Sequence, residues 1–129
     1  MQTEADPPVR VYDHEGFLGR LLADEDMAVE LVDLYLDDVP ALIDGLAGAL
    51  RSGDREHARL LSHRLRGSSA TVGGLELQGL AAAVESATAA GDVAEASRVA
   101  REIDGAFDRL RDALRRRWRR ADSVYGGSR

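Results

Sequence analysis

Apolar residues recur along this chain at spacings of three and four, and no segment alternates with period two over a strand-like length. That pattern predicts helices throughout. Asp13 is placed to cap a short helix reaching about Leu22, with Phe17, Leu18, Leu21 and Leu22 on one side. Asp24 precedes a longer run in which Met27, Leu31, Leu34 and Tyr35 follow at i, i+4, i+7 and i+8. Pro40 falls inside this run, but Leu42, Ile43, Leu46, Ala49 and Leu50 resume it, so one kinked helix over about 25–51 is expected. Ser52-Gly53-Asp54 ends it and begins the next helix, about 54–71, which Gly73-Gly74 closes. Leu77, Leu80, Ala81, Val84 and Ala87 mark a helix over about 75–90. Asp92-Val93-Ala94-Glu95 fits a capping box. The stripe Val93, Ala96, Ala100, Ile103, Phe107, Leu110, Leu114 and Trp118 predicts a single last helix reaching about 118.

Connections of two to four residues make sequential helices antiparallel neighbours. The fold class expected is therefore all-α: an antiparallel up-down-up-down four-helix bundle with a short extra helix at its N-terminus. Residues 1–10, with Pro7-Pro8 and mixed charge, read as a disordered lead-in, residues 11–120 as the bundle and residues 121–129 as a flexible Gly/Ser-rich tail.

Composition narrows the function classes. A chain of 129 residues, 44% of them hydrophobic, supports one core. It has no Cys, hence neither a disulfide framework nor a thiolate metal site. The start MQTEADPPVR lacks the basic and apolar regions of a signal peptide, and no run approaches the ~20 apolar residues that span a bilayer. A cytoplasmic protein with no membrane partner is expected. The net charge of −6 is unevenly spread: residues 1–56 carry 14 acidic side chains and 4 Arg, residues 57–129 carry 9 and 13. An acidic first half disfavours general nucleic-acid binding.

Chemistry concentrates in Leu60–Gly74, LLSHRLRGSSATVGG. On a helix turning ~100° per residue, Leu61, Leu65, Ser68 and Val72 fall within about 40° of the side opposite His63, and Ala58 joins them. His63 then faces water, with Arg59, Leu60, Arg66, Gly67 and Ala70 around it and Arg64 beside it. A solubilising surface has no use for Gly inside a helix, which costs ~1 kcal/mol relative to Ala, nor for an exposed Leu. Something is expected to approach His63 closely. Neutral imidazole is a nucleophile, and phosphoryl transfer needs in-line access and charge compensation more than other machinery. Arg66, one turn along, offers a guanidinium to phosphoryl oxygens. Gly67 clears a path for a partner, while Leu60 and Ala70 form a small apolar rim.

The run Ser62-His63-Arg64-Leu65-Arg66-Gly67-Ser68-Ser69, with Gly73 ten residues after the His, resembles the signature of the histidine-containing phosphotransfer (HPt) domain, roughly A-H-x-L-K-G-S-S-x-x-x-G. Leu77, Leu80 and Val84-Glu85 continue the family's following helix, and the similarity covers about residues 11–117. The resemblance implies that His63 is the phosphoacceptor through Nε2, that Arg66 steadies the phosphoryl group and that Gly67 admits the partner. It implies docking at Arg59, Leu60, Arg64 and Ala70. The partners implied are receiver domains of response regulators, one of them that of a hybrid histidine kinase, acting on a monomer. Three positions depart from the pattern: Arg66 replaces the usual Lys, Ser62 the usual Ala, and Gly74 stands where Ala is common. No Gly-rich phosphate loop, α/β nucleotide region or receiver-type acidic cluster accompanies the motif, so no autokinase activity and no cofactor are expected; any Mg²⁺ belongs to the partner receiver.

Three other readings compete. The cluster Arg115-Arg116-Arg117-Trp118-Arg119-Arg120 invites nucleic acid or an acidic membrane, but cations at a helix C-terminus also complement its dipole, and Trp118 completes the core stripe. His14, His57 and His63 could be offered as metal ligands, but His57 and His63 sit about 120° apart on their helix and do not converge. An interaction-only bundle would dock a partner at His63 without phosphotransfer.

Overall fold

The computed structural model describes residues 10–118; residues 1–9 of the lead-in expected over 1–10, the tail expected from 121, and Arg119 and Arg120 lie outside the described residues. Six helices and no strand occur among the described residues: α1 His14–Arg20, α2 Glu25–Ser52, α3 Arg55–Thr71, α4 Leu75–Ala89, α5 Val93–Ala100 and α6 Ile103–Trp118.

Aspartates start most of them. The carboxylates of Asp13, Asp24, Asp54 and Asp92 accept from the backbone N–H three residues on, at 3.0–3.1 Å, satisfying donors that the first helical turn leaves open. The capping box expected at Asp92 forms by half. Its reciprocal bond is missing because the Asp92 N–H donates to the Ala87 carbonyl at the end of α4 (2.8 Å), and Glu95 grips Arg98 instead (2.8 and 2.7 Å). Gly53 ends α2 in the left-handed conformation, φ 77°, where a Cβ is unwelcome. Pro40 lies inside an uninterrupted α2, on its exposed side, where water can serve the carbonyl that its missing N–H leaves open.

The core lies between α2, α3, α4 and α6, with Leu46, Leu65, Leu77, Leu110 and Leu114 fully buried, and Phe17 of α1 closes one end. Two expected stripes are corrected. In the first half of α2 the buried side is Ala28, Val29, Val32, Tyr35 and Val39, while Met27 and Leu34 are 47% and 57% exposed. Two apolar stripes run side by side there, and the neighbouring helices choose the β-branched one. Leu22, expected on the apolar side of α1, is 91% exposed. α1 stops at Arg20, and Leu22 and Ala23 turn the chain at φ 54° and 65°, with the Ala23 N–H on the Leu18 carbonyl.

The single last helix is also corrected. The chain tightens at Arg101-Glu102, where the Glu102 N–H reaches back only three residues, to Val99 (3.0 Å). α5 packs on α4 and α2, and α6 then lies against α2 and α4. The break leaves no mark in the apolar period, because Val99, Ile103 and Phe107 stay buried on one side across it.

Candidate functional site

His63 sits in the middle of α3, and its side chain is 55% exposed. The opposite side of α3 explains the orientation: Ala58, Leu61, Leu65 and Val72 are in the core. The inward serine is Ser69 rather than the expected Ser68. Ser69 Oγ is 2.8 Å from the buried Tyr35 hydroxyl, Ser62 is buried with its hydroxyl donating to the Arg59 carbonyl, and Ser68 is half-buried. Burial raises the Tyr35 pKa far above its ordinary value, so the phenol stays protonated and tethers α2 to α3.

The expected neighbours are found around His63. Leu60 is 42% exposed, Arg64 is exposed, and a Cβ built on Gly67 meets no described residue within 4 Å. Arg59 is drawn to Glu56 (2.7 Å), an ion pair that lowers the Glu56 pKa. Ala70 is half-buried, and its carbonyl accepts from Arg20 of α1 at 3.0 Å.

Sequence reasoning missed Glu85. It comes from α4, 22 residues away, and its Oε2 lies 2.9 Å from His63 Nδ1, while Arg66 Nη1 lies 3.2 Å from its Oε1. The signal was the Val84-Glu85 pair at the end of the motif, but the wheel of α3 cannot show what α4 brings to it. Arg66 Nη2 is also 3.2 Å from His63 Nδ1. One nitrogen cannot donate to a carboxylate and accept from a guanidinium at once. A bare Nδ1 would set its lone pair against those of Glu85, so the contacts assign the proton to Nδ1, donated to Glu85. Arg66 then serves Glu85 rather than the ring. In the neutral ring the lone pair is then on Nε2, on the other side of the ring.

The turn after α3 is built to close tolerance. The Asp13 N–H donates to the Gly73 carbonyl at 2.8 Å. Gly73 has φ 77°, and a Cβ there would stand 2.7 Å from the Asp13 carbonyl oxygen. A Cβ on Gly74, a departure from the HPt pattern, would fall 2.5 Å from a methyl of Leu110. Among the described residues, no group of three or more His, Asp or Glu could hold a metal ion, and no helix is long and apolar enough to cross a membrane.

The family model of the Hpt domain matches residues 30–113, from the second turn of α2 to the last turns of α6. No curated protein matches the chain. The chain belongs to the Hpt domain family. It is thus a histidine phosphotransfer module of the kind that works in two-component phosphorelays with receiver domains.

Proposed function

We propose that His63 Nε2 takes a phosphoryl group from the aspartyl phosphate of one receiver domain and yields it to the aspartate of another. The supporting observation is the His63–Glu85 contact, which in the neutral ring places the hydrogen on Nδ1 and the nucleophilic lone pair on Nε2 of a side chain that is 55% exposed. In the forward step Nε2 attacks phosphorus in line. The N–P bond forms, the P–O bond to the receiver carboxylate breaks, and the carboxylate leaves with the electron pair. No proton moves. Nδ1 keeps its hydrogen, and Glu85 balances the positive charge the ring acquires. Arg66, within reach of both groups, turns a guanidinium to the phosphoryl oxygens. The reverse sequence hands the group on.

Gly67 and Leu60 admit and seat the receiver, with Arg59, Arg64 and Ala70 at the edge of the contact. The protein acts as a cytoplasmic monomer without autokinase activity, and Mg²⁺ is held by the receiver, including that of a hybrid histidine kinase. Short turns at Gly53, Gly73-Gly74 and Gly91 support an antiparallel up-down-up-down order of the four long segments, with α1 as the extra helix. The test is incubation with phosphorylated receivers, read by intact mass. A gain of one acid-labile phosphoryl group in wild type and none in His63→Gln is expected. Equal gain in His63→Gln refutes the assignment, and receiver binding without any gain leaves only docking.

A further inference from the structure

The two ends of the described chain meet in a contact that phosphotransfer does not use. Trp118, the only tryptophan, closes α6, and its indole N–H donates to the Tyr12 hydroxyl oxygen at 2.9 Å. That oxygen lies 3.0 Å from His14 Nδ1. Arg117 Nε–H donates to His14 Nε2 at 3.1 Å. The His14 ring lies over the indole with centroids 5.3 Å apart, and Phe17 stands edge-on to it at 6.0 Å. Tyr12, His14, Arg117 and Trp118 all fall outside the span matched by the family model.

The proton inventory of this cluster is fixed by its donors. A guanidinium only donates, so His14 Nε2 carries a lone pair. Neutral His14 then holds its one hydrogen on Nδ1 and gives it to Tyr12, whose oxygen also accepts from Trp118. A second proton has only Nε2 to go to, and Arg117 occupies it. Among the described residues, the charged groups facing His14 are Arg117 from α6, Glu25 at the start of α2, and Asp13 and Glu15 in its own segment. Burial foremost, then Arg117, hold its pKa below the ordinary 6.5, against the smaller pull of the three carboxylates.

What the cluster holds in place matters to α3. The segment through Tyr12 and His14 leads into α1, whose Arg20 donates to the Ala70 and Thr71 carbonyls (3.0 and 3.4 Å), while Asp13 joins Gly73. These bonds fasten α1 over the end of the helix that carries His63.

We propose that His14 is a proton-released clasp: in acid, a second proton on Nε2 expels Arg117 and parts the Tyr12–His14 segment from Trp118. A ring that binds protons less readily when clasped favours the closed state above pH 6.5. That preference falls away as pH drops through 6.5 toward the lower value of the clasped ring.

The full chain carries its own reporter, because Trp118 is 8% exposed when clasped. Emission maximum and acrylamide quenching are followed from pH 8 to 5 in wild type and His14→Gln, with far-UV circular dichroism alongside. Expected in wild type are a red shift and a rise in quenching below pH 6.5, following one proton, with helicity kept; His14→Gln shows neither. A flat wild-type profile overturns the proposal. So does the same transition in His14→Gln, and so does loss of intensity without shift or quencher access, which is imidazolium quenching in a closed clasp. Should His14→Gln fail to fold, NMR titration of His14 decides. The midpoint is expected below 6.5 in wild type and higher in Arg117→Gln; a wild-type midpoint at 6.5 or above overturns the clasp.

Discussion

His63 is set by two neighbours that act on it differently. Glu85 Oε2 lies 2.9 Å from its Nδ1, and no described residue stands within 4 Å of a Cβ built on Gly67. Glu85→Ala should slow phosphoryl acceptance roughly tenfold, the loss of one hydrogen bond at ~1.4 kcal/mol, whereas Glu85→Gln should fall between Ala and wild type, because its carbonyl oxygen still accepts from Nδ1 but supplies no charge to balance the ring. Single-turnover transfer from a phosphorylated receiver distinguishes them; equal slowing in both would assign Glu85 a role as charge alone. Gly67→Leu should abolish transfer while leaving the melting temperature little changed, since among the described residues nothing stands within 4 Å of a Cβ at this position. The outward face of His63 and the opening at Gly67 were legible in the sequence, because both follow from the turn of one helix. Glu85 was not, since a wheel shows only its own helix. Ser69 was misjudged for a related reason. The buried arc of α3 centres roughly 30° away from the point opposite His63, because α3 packs on α2 and α4 together.

The starts of α1, α2, α3 and α5 were legible, because an Asp cap is a local signal: the side chain bonds a backbone three residues away. The face of α2 was not, because Leu31 and Leu34 are as apolar as Val32 and Val39, and only the packed neighbours decide between them. The α5–α6 break was invisible, since Val99, Ile103 and Phe107 keep the helical period through it. The α3–α4 turn is where an element boundary is least forgiving. Gly73→Ala should destabilise the bundle by ~1–3 kcal/mol, from a left-handed backbone and a methyl forced against the Asp13 carbonyl. Urea denaturation checks this, and an unchanged midpoint would contradict the described turn. Tyr35→Phe should cost about 1 kcal/mol in the same assay, as buried Ser69 loses its partner between α2 and α3.

For the molecule as a whole, the sequence announced the all-helical class and the motif at its centre, but not how its ends are joined. Tyr12 and Trp118 lie 106 residues apart, and no periodicity reports a contact of that span. The same contact changes the reading of the C-terminal arginines. Arg117 is occupied with His14 rather than presented as part of a uniform basic surface. The central claim concerns one nitrogen, and ring ¹⁵N spectroscopy of His63 before and after incubation with a phosphorylated receiver tests it most directly. The account predicts that free His63 carries its hydrogen on Nδ1 and that the phosphoryl group then appears on Nε2 with Nδ1 still protonated. A phosphoryl group on Nδ1, or a free ring with its hydrogen on Nε2, would contradict it.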